Sequence, residues 1–132
     1  MPGGLRRLGW RLGPLVVYAA LIFFFSSRPA RQLPRLVVPH ADKLVHAVEY
    51  AGLGLLLVRA LRRSEEPVGV GLAALAVGLG GLYGATDEYH QSFVPGRSGN
   101  DLGDLTADLI GTALGVLLHR RCFRNPRWRS WL

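Results

Sequence analysis

Carboxylate and imidazole side chains recur at one-turn spacing within apolar stretches of this 132-residue chain. His46 and Glu49 are three residues apart, and so are Asp87 and His90. Residues at this spacing lie on the same face of a helix. The same spacing occurs in carboxylate–histidine metal sites of four-helix bundles, so these four side chains are candidate ligands of a divalent metal ion.

Two longer polar stripes extend this pattern. The first stripe consists of Asp42, His46, Glu49 and Tyr50, and the second consists of Asp101, Asp104 and Asp108. Each stripe has helical spacing and therefore lies on one helix face. Because ionisable groups within apolar segments are costly, we expect both stripes to face the protein interior and to have partners there.

The predicted connector 87–101 adds a cation to these acids. A Pro-Gly pair at 95–96 predicts a tight turn, which directs Arg97 back toward the acids or toward a bound anion. An Arg side chain can bind phosphate or carboxylate through two parallel hydrogen bonds. Two roles for Arg97 are open, an ion pair with Asp104 and a contact to a ligand anion, and we favour the ligand.

Four apolar blocks must position these side chains. The hydrophobic share of 49% excludes a disordered chain, and the single cysteine, Cys122, excludes a disulfide framework or a cysteine-based zinc site. The blocks predict spans at about 12–27, 43–61, 67–86 and 102–119. The third block is 20 residues without a charge, long enough to cross a membrane. We therefore predict one all-α domain, 1–132, folded as a four-span transmembrane helical bundle.

Small residues indicate how these helices pack. Gly103, Ala107, Gly111 and Gly115 recur every four residues in the fourth block, and Gly80 and Gly84 form a second pair. Rows of this kind allow helices to approach closely in lipid, so we expect both rows to lie in helix interfaces.

Basic residues divide unevenly between the two ends of the predicted bundle. Eleven of the 16 Lys and Arg residues flank one side and five flank the other. Because positive residues favour the cytoplasmic side, we predict that both termini are cytoplasmic, with a basic cytoplasmic tail at 120–132 and Trp10, Trp128 and Trp131 at that interface. The basic residues lie between apolar blocks, which favours the lipid bilayer as partner and excludes nucleic acid.

Several motifs occur together in a recognisable order. They are Ser26-Ser27-Arg28-Pro29, Asp42-Lys43-Leu44-Val45-His46, Glu49-Tyr50, Asp87-Glu88-Tyr89-His90-Gln91, Val94-Pro95-Gly96-Arg97-Ser98-Gly99, and finally Asp104 and Asp108. In these motifs the chain resembles the VanZ-like family of small bacterial integral membrane proteins over roughly 15–118. The resemblance implies a multi-pass protein of the bacterial cytoplasmic membrane. One family member confers low-level teicoplanin resistance, and many members carry Asn at the position of Asp108.

The polar positions of the family correspond to candidate ligand-binding residues in this chain. They are Lys43, His46, Glu49, Tyr50, Glu88, His90, Gln91, Arg97, Asp104 and Asp108, and Asp42 is a further polar position of the family. Because the polar stripes all point to one end of three helices, we expect His46, Glu88, Arg97 and Asp104 to lie close together near the outer surface.

Three functions fit these residues. In the first, which we prefer, the outer site binds an envelope lipid or its headgroup, with Arg97 and Lys43 on phosphate and the acids on an amine or cation. In the second, a membrane-embedded hydrolase cleaves a lipid phosphoester, using a metal-activated water or a general base. Its candidate catalytic residues are His46, Glu88 and Asp104. The third is an ion- or proton-coupled transporter. The sequence specifies neither a cofactor nor an oligomeric state.

Overall fold

The computed structural model describes residues 2–34, 38–62 and 67–124, and the regular elements in these ranges are helical. They are α1 (Pro2–Ser26), a short 3-10 helix (Ala30–Gln32), α2 (Ala41–Leu61), α3 (Val70–Gln91) and α4 (Leu102–Arg124). Each α helix contains a stretch of 21 or 22 residues that is long and apolar enough to cross a membrane. The predicted all-α, four-helix architecture is confirmed.

Large apolar side chains cover the outside of the bundle. Examples on the four helices are Val16, Phe24, Leu44, Val48, Leu82, Ile110 and Leu114, all exposed. Monomeric soluble proteins rarely expose apolar surface on this scale, whereas a lipid-facing surface requires it. Together with the length of the helices, this surface is that of a membrane protein.

The closest packing in the bundle is between α2 and α4. A Cβ atom placed on Gly111 would lie 2.9 Å from the carbonyl carbon of Ala47, and one on Gly115 would lie 2.9 Å from that of Ala51. A side chain larger than hydrogen therefore does not fit at these two α4 positions unless the helices move apart. The prediction that this row lies in a helix interface is confirmed for Gly111 and Gly115, where α4 meets the α2 backbone.

Helix α3 packs against α4 through its own pair of glycines. Gly80 faces the side chain of Thr112, and a Cβ on Gly84 would lie 2.7 Å from Oδ2 of Asp108. These two glycines make room for polar α4 side chains in the interior of the bundle. The α3 pair therefore accommodates polar groups, in addition to allowing close approach.

Helix α1 is the peripheral helix and is anchored by a few specific contacts. Ile22 is buried in the core. The Tyr18 hydroxyl donates a hydrogen bond to the Glu49 carbonyl (3.0 Å), and the Tyr83 hydroxyl donates one to the Ala19 carbonyl (2.7 Å). Phenolic hydroxyls thus attach α1 to α2 and α3 through backbone acceptors.

The end of α3 differs from the sequence prediction. The charge-free block ends at Thr86, whereas α3 continues to Gln91 and the connector occupies only 92–101. The helix continues because Asp87, Glu88 and Gln91 are buried against the other helices instead of facing water. Trp128, Trp131 and positions 125–132 of the basic tail lie outside the described residues.

Candidate functional site

One end of the bundle collects most of the predicted polar residues. We call it the polar end: α1 and α3 end there, and α2 and α4 begin there. It contains a cavity of about 450 Å³. The polar lining includes His46, Glu49, Asp87, Gln91, Arg97 and Asp104, and the apolar lining includes Phe25, Leu33, Pro34 and Val45. The structure therefore brings His46, Arg97 and Asp104 together around one space, as expected.

The connector between α3 and α4 contains the predicted tight turn. The Arg97 N–H donates to the Val94 carbonyl at 3.1 Å, and Gly96 has a φ of 76°. A positive φ at the third residue, after Pro at the second, is the geometry of a type II turn. The Ala30 N–H donates to the Pro95 carbonyl at 3.3 Å and ties this turn to the segment after α1.

Arg97 is oriented by α3. Its Nη2 donates to Oε1 of Gln91 at 2.6 Å, and Nε2 of Gln91 donates to Oδ2 of Asp87 at 2.9 Å. Gln91 is buried, so this relay fixes the guanidinium at the cavity wall without neutralising its charge. Within the described ranges Arg97 forms no ion pair with Asp104, so the first of its two possible roles is not the one observed.

Lys43 is the cation that pairs with Asp104. Its Nζ donates to Oδ1 of Asp104 at 2.9 Å and to Oδ2 of Asp101 at 3.1 Å. Oδ1 of Asp101 also accepts the Gly103 N–H at 2.6 Å, which caps the start of α4. The Lys43 ammonium and this N–H lower the pKa of Asp101 below its ordinary value. Lys43 therefore joins α2 to α4, and Arg97 is the cation better placed to meet a ligand.

Three buried side chains from three helices converge next to the cavity. His46 on α2, Glu88 on α3 and Asp108 on α4 each place one potential ligand atom within 4.8 Å of the other two. Nδ1 of His46 lies at hydrogen-bonding distance, 2.9 Å, from Oδ1 of Asp108. Oε2 of Glu88 accepts the Asp101 N–H at 2.9 Å. We call His46, Glu88 and Asp108 the buried triad.

The buried triad differs from the ligand pairs suggested by helical spacing. Spacing along one helix pairs His46 with Glu49 and Asp87 with His90, whereas the triad takes one residue from each of three helices. Glu49 and Asp87 line the cavity. Nε2 of His90 instead lies 3.0 Å from the Ser27 hydroxyl on the α1 side. The two predicted stripes bring His46 and Asp108 to one end of the bundle, which is the sequence signal for that part of the triad, whereas Glu88 belongs to neither stripe.

Two further predicted residues have other surroundings. The His90 ring packs on the Phe23 ring, with centroids 4.6 Å apart, so His90 contributes to packing of α3 on α1. Tyr50 is fully buried one turn beyond His46, and its ring lies 6.2 Å from the ring of Tyr83. Neither residue lines the cavity.

The apolar wall of the cavity was not among the predicted site residues. Phe25 comes from the end of α1, Leu33 and Pro34 come from the segment after it, and Val45 comes from α2. Apolar residues of this kind are common in every span, so their types carry no signal for a site. The Ser26-Ser27-Arg28-Pro29 motif is the feature of the sequence that marks this end of α1.

Comparison with known proteins identifies the family. The model of the VanZ/LLP1 family matches residues 12–124, which is most of the chain. No curated protein and no solved structure gives a significant match. The matched region contains α2, α3 and α4, most of α1, and every residue of the cavity wall and the buried triad. On this evidence the chain belongs to the VanZ/LLP1 family, and the resemblance seen in its motifs is confirmed.

Proposed function

We propose that this membrane protein binds the headgroup of an envelope lipid in the cavity at the polar end. One observation carries the proposal: a single cavity presents a guanidinium, several carboxylates and an apolar wall to the same space. Its volume, about 450 Å³, is in the range of small-ligand sites. A lipid offers matching groups, because its polar headgroup continues directly into apolar chains.

The phosphate of the headgroup is assigned to Arg97. The Arg97–Gln91 hydrogen bond, 2.6 Å long, leaves other guanidinium donors for a ligand. Guanidinium groups bind phosphate oxygens through pairs of parallel hydrogen bonds, which a lysine ammonium does not reproduce. Lys43 donates its hydrogen bonds to Asp101 and Asp104, so it stabilises the wall of the site and does not contact the ligand.

A cationic group on the ligand is assigned to the carboxylates. Glu49 and Asp87 line the same cavity as Arg97, and Oδ1 of Asp87 is buried without a hydrogen-bond partner among the described residues. A buried carboxylate oxygen without a partner is costly, so a donor from the ligand would be favourable there. A phospholipid that carries an ammonium group fits both ends of this arrangement better than a purely anionic one.

Native mass spectrometry of the full-length protein tests the binding. We expect phosphatidylethanolamine to be retained more strongly than phosphatidylglycerol. Arg97→Ala should weaken retention at least about tenfold, and Arg97→Lys should restore only part of it. Arg28→Ala is the matched control, because Arg28 stacks on the Phe24 ring at 4.1 Å outside the cavity. Equal losses in the Arg97 and Arg28 variants, both folded, would contradict the proposal.

The orientation of the protein is part of the proposal. The excess of basic residues predicts cytoplasmic termini, which places the polar end on the outer side of a bacterial cytoplasmic membrane. Ser98 is exposed in the connector between α3 and α4. In a Cys122→Ser background, a cysteine at position 98 should react with a membrane-impermeant reagent added from outside. If this cysteine reacted only with reagent on the cytoplasmic side, the protein would have the opposite orientation to the one proposed.

A link to teicoplanin resistance follows from an outer lipid site and from the family resemblance. Expression in a glycopeptide-sensitive host should raise the teicoplanin concentration needed to stop growth. Arg97→Ala should abolish that increase at equal membrane abundance, because it removes the proposed phosphate contact. If Arg97→Ala raised the inhibitory teicoplanin concentration as much as the wild-type protein does, resistance would not depend on the cavity.

A further inference from the structure

We infer that His46, Glu88 and Asp108 hold a divalent first-row metal ion such as Mn²⁺ or Zn²⁺. The inference goes beyond lipid binding and stands on the geometry of the buried triad alone. One donor atom from each residue lies within 4.8 Å of the other two. Donors bound to one ion at about 2.1 Å are about 3 Å apart at right angles and at most about 4.2 Å apart. Three donors arranged at about 90–120° around one ion are about 3.0–3.6 Å apart, so a pair of side chains at the 4.8 Å limit has to close by about 1.2–1.8 Å.

Unpaired oxygen atoms are the second observation that points to a ligand. Oε2 of Glu88 accepts the Asp101 N–H, and Oδ1 of Asp108 lies beside His46. The other oxygen of each carboxylate, Oε1 of Glu88 and Oδ2 of Asp108, is buried without a hydrogen-bond partner in the part of the chain that the structure describes. Ligating carboxylates commonly bind the metal through one oxygen while the second oxygen is held by the protein.

These two oxygen atoms are inaccessible to bulk water. Glu88 is 3% exposed and Asp108 is 0% exposed. Oδ2 of Asp108 lies against α3 at Gly84, one helical turn before Glu88 on the same helix. The absence of a side chain at Gly84 is what allows the Asp108 carboxylate to approach the helix that carries Glu88.

Charge balance also favours a bound cation. Among the described cations, Lys43 is paired with Asp101 and Asp104, and Arg97 is held at the cavity wall by Gln91, where its charge is assigned to the headgroup phosphate. Even with His46 protonated, two buried carboxylates beside a single imidazole carry net negative charge inside the membrane. A divalent ion compensates both carboxylates and supplies the missing partner of each free oxygen.

The donor types select the class of metal. Carboxylate oxygens favour Mn²⁺, and an imidazole nitrogen favours Zn²⁺ and other first-row ions, so one nitrogen with two oxygens suits this group. Three protein ligands leave coordination positions for water or another small ligand. His46 also lines the cavity, so the ion would lie at the boundary between the triad and the proposed headgroup space.

Electron paramagnetic resonance with Mn²⁺ tests the inference. Full-length protein is stripped with chelator, held in detergent without added phospholipid and titrated with MnCl₂. We expect one Mn²⁺ per chain, displaced by Zn²⁺, with a nitrogen-14 coupling from the imidazole. His46→Gln should remove this coupling and weaken Mn²⁺ binding at least about 100-fold. His90→Gln is the matched control, because His90 contacts Ser27 outside the triad and should change neither result.

Two further variants keep the test independent of folding and of lipid binding. Glu88→Gln preserves an acceptor for the Asp101 N–H and should lower Mn²⁺ affinity in a protein of unchanged helicity. Arg97→Ala, outside the triad, should bind Mn²⁺ normally even where it no longer retains phospholipid. The inference is overturned if folded wild-type protein binds no more Mn²⁺ or Zn²⁺ than His46→Gln does, or if the nitrogen coupling survives in His46→Gln.

Discussion

Replacing Gly111 by alanine tests how helix packing determines the geometry of the site. Gly111 lies on α4 three residues after Asp108, and it faces Ala47, the residue that follows His46 on α2. An added Cβ would lie 2.9 Å from both the carbonyl carbon and the Cα of Ala47, whereas ordinary contacts begin near 3.4 Å. The two helices must therefore separate by more than about half an ångström to accept the methyl group.

The size of the effect is obtained by comparison with Gly78→Ala on α3. Nothing lies within 4 Å of a Cβ at Gly78, so that variant reports the gain in helix propensity alone, about 1 kcal/mol. Overpacking costs about 1–3 kcal/mol. Because the propensity gain is common to both variants, Gly111→Ala should be less stable than Gly78→Ala by about 1–3 kcal/mol, roughly 5- to 150-fold in the unfolding equilibrium.

Equilibrium unfolding in mixed detergent, followed by circular dichroism, measures this difference. The same separation would lengthen the 2.9 Å contact between His46 and Asp108, so Gly111→Ala should also bind Mn²⁺ more weakly than Gly78→Ala does. Equal stability of the two variants would refute the close approach of α2 and α4. Lower stability with unchanged Mn²⁺ affinity would show that the triad does not depend on this packing.

Two further predictions concern the ion pairs at the start of α4. Lys43→Met leaves the buried Asp104 carboxylate without a cation and should cost about 3 kcal/mol, whereas the double variant with Asp104→Asn should recover most of the loss in the same unfolding assay. Because Lys43 and the Gly103 N–H lower the pKa of Asp101, its charged form stabilises the fold above about pH 4, and this stabilisation is lost as the pH falls through the lowered pKa. The melting temperatures of wild-type protein and Asp101→Asn should therefore differ at pH 6 and converge toward pH 3, and a gap that persists unchanged would contradict this assignment.

The helices and their polar faces could be predicted because membrane insertion leaves few alternatives. A charge-free block of 20 residues and short connectors require spanning helices, and costly acids within them must face inward. His46 and Asp108 are accordingly buried, at 7% and 0% exposure. The end of α3 could not be predicted from charge, because burial of Asp87 and Glu88 lets the helix continue past the first acid.

Partners across helices could not be predicted from spacing along one helix. Arg97 and Lys43 are both cations near Asp104, and only the three-dimensional path of the connector determines that Lys43 forms the ion pair. The type II turn at Pro95 and Gly96 directs Arg97 to Gln91 instead. The polar side chains that contact each other across helices depend on how α2, α3 and α4 are rotated about their axes. The small residues at the helix interfaces do not indicate which polar contacts result.

His46 belongs to both the cavity wall and the buried triad, and this shared position connects the two proposals. A lipid-binding protein without a metal would need only the cavity, with Arg97 on phosphate and the carboxylates on an ammonium group. A metal ion on the triad would stand beside that phosphate, where it could polarise a phosphoryl oxygen or lower the pKa of a bound water. Measuring retention and cleavage of phosphatidylethanolamine with and without Mn²⁺ therefore distinguishes a binding protein from a hydrolase. Binding that is unaffected by Mn²⁺ favours the first, and Mn²⁺-dependent release of a headgroup product, lost in His46→Gln and kept in His90→Gln, requires the second.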